Sequence, residues 1–258
     1  MARERTYHLE AVVLRRRNWG EADRILTLFT PQRGKIRVRA AGVRKPSSRK
    51  AGHLELFHRA DLFLARGRDF DIVTQAETVE AFPRLREDLV RSAAASYCAE
   101  LLDRVSPEES ENAAAYRLLV RVLEELNRGG NPALALRCYD VQLLECSGYR
   151  PELNKCTVGG ETIRAEDQFF SPARGGAVCP RCAVRVEGRF PVSVAALRVL
   201  RHIQRIPLAE ALRLNVTEST LSELESVMQR YLQYVLESPL HSRKYFSDVS
   251  RTRREGGV

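Results

Sequence analysis

The hydrophobic period of the chain changes at Phe82-Pro83, and that change limits the fold more than any other feature. Before it, apolar residues tend to recur at every second position, the repeat of a half-buried strand; after it they recur at helical spacing. Tyr7, Leu9, Ala11 and Val13 alternate with His8, Glu10, Val12 and Leu14, the last two blurring the pattern. RILTLFT (24–30), KIRVRA (35–40), LELFHRADLFLA (54–65) and FDIVTQAETVEAF (70–82) supply further candidate strands. Gly20, Pro31–Gly34, Gly42–Gly52 and Gly67 punctuate them. Short strands at this spacing predict a small barrel or sandwich.

Beyond Pro83 the pattern predicts helices. Residues 86–104 carry Ala and apolar positions at helical spacing. Ser106-Pro107-Glu108-Glu109 reads as a capping box with Pro at the first helical position, opening a helix to about Asn127 that Gly129-Gly130 stops. Asn131-Pro132 restarts the pattern, with Leu136, Tyr139, Leu143 and Cys146 on one stripe. Residues 148–190 are Gly-rich, poor in apolar runs, and hold three cysteines. Helical spacing returns over Ser193–Arg205 and at Leu221, Leu224, Met228, Tyr231 and Val235. The expected class is therefore α+β: a β-barrel module over residues 1–82, a helical domain over 83–250 with a cysteine-bearing insert at about 148–190, and a frayed tail over 251–258.

The formal net charge of +9 points to acidic partners: nucleic acid, an anionic membrane or an acidic protein segment. Its densest expression is Gly34 to Lys50, with seven cationic side chains and no carboxylate. Lys35, Arg37 and Arg39 share one parity of the predicted strand, and Ile36, Val38 and Ala40 the other. Alternate residues on one face stand about 6.7 Å apart, where like charges in water repel by roughly 0.6 kcal/mol. Burying them would cost several kcal/mol each, so the stripe is expected to face solvent. Arg44, Lys45, Arg49 and Lys50 extend it. Arg15, Arg16 and Arg17 form a second cluster, directly followed by Trp19, the only tryptophan. An aromatic beside cations suits base stacking, although Trp19 serves a core equally well. A solvated face is the competing reading of the stripe, but such faces usually mix signs.

The segments GEADRILTLFTPQRGKIRVRAAGVRKP (20–46), SRKAGHLELF (48–57) and LFLARGRDFDIVTQAETVEAF (62–82) resemble the N-terminal part of the bacterial RecO family of DNA repair and recombination mediators. SGYRPELNKC (147–156) and FFSPARGGAVCPRC (169–182) resemble its cysteine region, and SPLHSRKYF (238–246) its C-terminal signature. The resemblance implies an N-terminal OB-fold and a helical domain with a zinc-finger-like insert. It implies binding of single- and double-stranded DNA, annealing of complementary strands, and work with RecR to load RecA onto strands coated by single-strand binding protein. The acidic tail of that binding protein is an implied partner, and the cytoplasm, at the nucleoid, the implied location. The charged N-terminus and the lack of a long apolar run agree, since they argue against a signal peptide and a membrane span.

Zinc-bearing members of that family carry C-x2-C and, about twenty residues on, a second C-x2-C. Here Cys156 opens the first pair, Gly159 stands where its second cysteine would be, and Cys179-Pro180-Arg181-Cys182 is intact. Structural zinc needs four protein ligands. The loop therefore either stands without metal, or uses a fourth side chain (Glu161, Asp167 or His202), or completes the shell with water. The preferred reading is that no cofactor is required and that zinc is not tightly held. Cys98, Cys138 and Cys146 lie at helical positions suited to small buried hydrophobes.

Nothing in the sequence suggests bond-breaking chemistry. G-x-x-x-x-G-K-[ST], G-x-S-x-G and H-E-x-x-H are missing, and the five histidines show no ligand spacing. The H-x-E and P-C-x-x-C pattern of zinc deaminases is matched by neither half, and the C-x-x-C lacks the βαβ context of a redox motif. The expectation is a non-enzymatic DNA-binding mediator. The rival is an adaptor docking acidic peptides on its basic surface.

Overall fold

The computed structural model describes residues 5–255; residues 1–4 and 256–258, which include the start of the N-terminus and the end of the predicted tail, lie outside that range. The chain divides into two compact units, Met1–Arg128 with Ser242–Val258, and Gly129–His241.

In the first unit, β1 (Thr6–Trp19), β2 (Asp23–Thr30), β3 (Gly34–Ala40), β4 (Arg59–Ala65) and β5 (Asp71–Glu80) close into a barrel in the order β1-β2-β3-β5-β4. β3 and β5 run parallel, and the other neighbours antiparallel. This is an OB-fold barrel, so the chain is α+β as its periodicity implies. Leu9, Ala11, Val13, Leu26, Leu28, Ile36, Val38 and Ala40 point inward and fill it with Leu62, Leu64 and Val73. The strand expected from residue 54 starts only at Arg59. Ala51–Leu54 instead forms a single 3-10 turn that places Leu54, fully buried, in the barrel core.

One irregularity in β1 matters for function. Register shifts between Val13 and Arg15, so Leu14 is an extra residue, a β-bulge. Before the bulge, odd-numbered side chains face the core. After it Arg15, Arg17 and Trp19 face outward, and Arg16 falls in the row of buried Leu26 and Val38.

Three helices follow: α1 (Arg84–Glu87), α2 (Leu89–Val105) and α3 (Ala113–Arg128). The Asp88 side chain caps α2 by accepting from the Val90 and Arg91 N–H groups. The capping box expected at Ser106–Glu109 does not form. Its segment pairs with β3 instead: the Glu109 N–H donates to the Lys35 carbonyl at 2.8 Å, and Lys35 and Glu108 form a parallel bridge. Asn112 takes over the cap of α3, accepting from the Ala115 N–H at 2.9 Å. Strand augmentation satisfies β3 edge groups at long range, which outweighs a local capping preference.

In the second unit, α4 (Pro132–Cys146) begins as expected, with Asn131 accepting from the Ala133 and Leu134 N–H groups. Then β6 (Gln168–Ser171), β7 (Gly176–Val178), the short α5 (Pro180–Ala183) and β8 (Phe190–Val192) build a small sheet in the order β7-β6-β8. α6 (Val194–Ile203), α7 (Leu208–Ala211) and α8 (Glu218–Leu236) complete it, with Ser193 and Thr217 capping α6 and α8. Leu136, Tyr139 and Leu143 of α4 and Leu224, Met228 and Tyr231 of α8 are buried, as their stripes predict, while Cys146, Leu221 and Val235, at the ends of the stripes, are half-buried. α9 (His241–Glu255) belongs mainly to the first unit, where the Ser242 N–H donates to Glu100 at 2.7 Å. It runs through Glu255, into the stretch read from sequence as a tail. Among the described residues no helix is long and apolar enough to cross a membrane.

The augmented edge depends on Gly34. Its φ is +58°, and a Cβ there would overlap the Ser110 carbonyl oxygen, a backbone atom that cannot rotate away. Gly34→Ala should therefore destabilise the protein by roughly 2–3 kcal/mol, read as a lower urea midpoint at unchanged m-value. An unchanged midpoint would show that the 106–112 segment does not press on β3.

Candidate nucleic-acid interface and cysteine cluster

Residues directly opposite on neighbouring strands share a face. The register therefore sets Arg17, Ile25 and Arg39 in one outward row across β1, β2 and β3, and Arg15, Thr27 and Arg37 in the next. Arg15, Arg17, Arg37 and Arg39 are exposed. The two clusters, twenty residues apart in sequence, lie about 10 Å apart, two strand spacings. Trp19 continues the β1 row; it is 48% exposed and meets the Phe70 ring edge-on at 6.5 Å. It is no core residue.

Lys35, by contrast, is withdrawn. Its row contains Phe29 and Val12, both fully buried, because the helical segments of this unit cover that end of the outer face. Only 14% of its side chain is exposed; its Nζ donates to the Asp103 carbonyl at 2.5 Å and lies 3.1 Å from Asp103 Oδ1. The stripe is also not free of acids. Arg37 pairs with Glu108 at 3.0 Å and Arg39 with Asp23 at 2.6 Å. The local run has no carboxylate, but folding delivers one to each of its three cations. At Arg37 and Glu108, about half exposed each, such a pair contributes roughly 0–1 kcal/mol, so a phosphate can compete for the guanidinium. Asp23 is held more firmly: the Gly42 N–H at 2.7 Å and then Arg39 keep its carboxyl below the usual range.

The remaining predicted cations divide. Arg15, Arg17, Lys45 and Arg49 are exposed; Arg15, Arg17 and Arg49 have no carboxylate partner among the described residues, and Lys45 lies near the Asp23 carboxylate. Arg44 is exposed and donates to the Gly20 carbonyl at 3.2 Å, fastening its loop to the β1–β2 turn. Arg16 turns to the other side and pairs with Glu55. Lys50 donates to the Val73 carbonyl at 2.7 Å, and burial lowers its pKa. The sequence reading thus gathers Arg15, Arg17, Trp19, Arg37, Arg39, Arg44, Lys45 and Arg49 on exposed positions, and loses Lys35, Arg16 and Lys50 to structural contacts. Sequence alone did not show that Thr27 and buried Ile25 lie between the arginine pairs, or that Phe70 meets Trp19. The former became legible only once β2 was known to pair with both β1 and β3.

A second charged group supports the barrel beside this face. The Tyr7 hydroxyl donates to Asp71, and Arg33 reaches Tyr7 at 2.6 Å, Asp71 at 3.4 Å and Glu109 at 2.9 Å. Burial, then the Asp71 bond, pushes the Tyr7 hydroxyl up to about 12. Burial works against ionised Asp71, but Tyr7, the Gly67 N–H and Arg33 together hold it below its ordinary value.

In the second unit Cys156, Cys179 and Cys182 converge. Their sulfurs and a Glu161 carboxylate oxygen all lie within 4.8 Å of one another. Cys156 Sγ accepts from the Gly159 and Cys179 N–H groups, each at 3.4 Å. Burial opposes ionisation of Cys156, but these donors and the Val158 N–H bring its pKa down to about 7. Of the three fourth-ligand candidates only Glu161 joins the group. Asp167 accepts from the Val194 N–H at the start of α6, and His202 lines a separate cavity. Cys98 and Cys138 are buried, as expected; burial pushes Cys138 up to about 12, and Cys146 is half-buried.

The fold and these sites define a class: a basic OB-barrel protein whose helical second part carries a cysteine knuckle. Comparison with known families also finds two parts, divided at the end of the barrel and not at Arg128. The model for "Recombination protein O N terminal" matches residues 1–82, and that for "Recombination protein O C terminal" residues 86–244. A DNA repair protein RecO of Roseiflexus sp. is 43% identical over 98% of this chain and 89% of its own length. Those of Dehalococcoides mccartyi strain CBDB1 and Desulforamulus reducens are 40% and 37% identical, over 92% and 98% of this chain and 93% and 98% of their own lengths. The chain belongs to the RecO family.

The Asp71 group makes a pH prediction. A folded pKa below the ordinary 3.8 adds stability that is complete above the unfolded value and is lost as pH falls through the folded one. Asp71→Asn should lower the urea midpoint at neutral pH and flatten its fall below about pH 4. Parallel acid limbs in the two proteins would contradict the assigned pairing.

Proposed function

We propose that this protein is a DNA repair and recombination mediator that binds single- and double-stranded DNA on the outer face of β1, β2 and β3. One observation carries the reading. The register aligns Arg15, Arg17, Arg37 and Arg39 across three adjacent strands of an OB barrel, with exposed Trp19 at the end of the row. Such a surface neutralises sugar–phosphate backbones and offers a ring for stacking, both indifferent to sequence. Held together on it, two strands repel each other less, and base pairing brings about annealing without any bond-breaking step. In this reading the protein works in the cytoplasm at the nucleoid, and with RecR it helps load RecA onto strands coated by single-strand binding protein.

Docking of that protein's acidic tail finds support in the second unit. A cavity of about 540 Å³ beside α6 is lined by Arg198, Arg201, His202 and Arg205 over apolar Val199 and Leu214. Its lining contains no carboxylate, which suits an acidic segment.

The test is annealing of complementary oligonucleotides together with salt titration of single-strand binding. The protein should accelerate pairing. Arg15→Ala/Arg17→Ala should reduce the slope of log K against log salt by about 1.4, since each phosphate that is no longer neutralised removes about 0.7. Arg16→Ala should leave the slope unchanged. No acceleration, together with a slope near zero, would overturn the reading and leave an adaptor for acidic peptides.

A further inference from the structure

The cysteine cluster has three thiols, and the backbone brings a carboxylate beside them. Cys156 to Glu161 forms a tight turn, closed by the Cys156 N–H on the Glu161 carbonyl at 2.8 Å and the Gly160 N–H on the Cys156 carbonyl at 2.8 Å. The turn folds Glu161 back over residue 159. A Cβ built on Gly159 would overlap Glu161 Oε2, so the carboxylate fills the space that a side chain at 159 would occupy. Its other oxygen, Oε1, is held by Arg181 at 3.1 Å.

We infer that Glu161 replaces the missing cysteine as the fourth ligand of a structural zinc site, with Cys156, Cys179 and Cys182 as the other three. Zinc accepts carboxylate oxygen at about 2.0–2.2 Å and thiolate at about 2.3 Å in a tetrahedral shell. Four donor atoms already within 4.8 Å of one another need only small movements to close on one ion. The exchange of a thiolate for a carboxylate also keeps the ligand charge of a four-cysteine site. Arg181 acts as the outer partner that orients the carboxylate, leaving Oε2 to the metal. The two N–H groups on Cys156 Sγ orient that sulfur in the same manner. Gly159 is thus part of the ligand set by its lack of a side chain. The metal would fasten the 154–162 loop to α5, which β7 already holds through the Thr157 N–H and the Ala177 carbonyl at 2.9 Å. This assignment stands apart from the DNA-binding reading.

The test uses the full chain purified without chelator. Elemental analysis should find one zinc per chain after dialysis, and X-ray absorption three sulfurs and one oxygen. Competition with a chromophoric chelator should show Glu161→Gln, which keeps the side chain's size and removes its charge, binding zinc at least about tenfold more weakly. Gly159→Cys/Glu161→Ala should restore the affinity and convert the shell to four sulfurs. Wild-type protein without retained zinc would overturn the inference. So would Glu161→Gln with wild-type affinity, which would assign the fourth position to water.

Discussion

Side chains on a strand alternate between two faces, and a one-residue insertion reverses the assignment for everything beyond it. In β1 that insertion is Leu14. It lets one strand line the barrel with Leu9, Ala11 and Val13 and then, without breaking its pairing to β2, turn Arg15, Arg17 and Trp19 to solvent. The cationic face exists because of this reversal. In uninterrupted alternation, Arg15 and Arg17 would meet the barrel interior, where an unpaired guanidinium costs several kcal/mol, and Arg16 would stand outside in their place.

Electrostatics then divides one basic surface into parts with different duties. Cations near the helical segments are tied down: Lys35 to Asp103, Arg33 to Asp71 and Glu109, Arg59 to Glu10. Lys35–Asp103 and Arg33–Glu109 hold the barrel to the chain that follows it, helped by the Tyr116 hydroxyl donating to Glu10 at 2.6 Å, while Arg33–Asp71 and Arg59–Glu10 tie barrel segments to one another. Around the β1–β2 turn Glu21 and Asp23 remain, but Arg15, Arg17 and Arg49 have no ion pair among the described residues. Arg37 and Arg39 lie between these regimes. Their carboxylate partners keep them extended and ordered, while exposure leaves the Arg37 pair weak enough to exchange for phosphate.

Much of this was legible in the sequence because the relevant forces are local. β-Former content located β2, strict alternation located β3 and its buried residues, and Asn131-Pro132 marked the start of α4 to the residue. What escaped was long-range. Glu108 and Glu109 have the spacing of a helix cap, yet they are held by Lys35, Arg33 and Arg37, some seventy residues earlier in the chain. The stripe's neutralising acids come from Asp23, Asp103 and Glu108, none of them inside the run that looked free of acids. The bulge did leave a trace: the consecutive apolar residues Val12, Val13 and Leu14 blur the alternation where its parity changes. Among the possible fourth ligands, Glu161 could be distinguished from Asp167 and His202 only by the turn that folds it over Gly159.

The most direct measurement of the central claim is arginine-directed chemical modification, mapped residue by residue with and without a single-stranded oligonucleotide. Arg15, Arg17, Arg37 and Arg39 should become protected at low salt and reactive again at high salt, while exposed Arg128 and Arg181, which are not part of the β1–β2–β3 face, stay equally reactive throughout. Protection spread evenly over all exposed arginines, or missing from Arg15 and Arg17, would contradict the account.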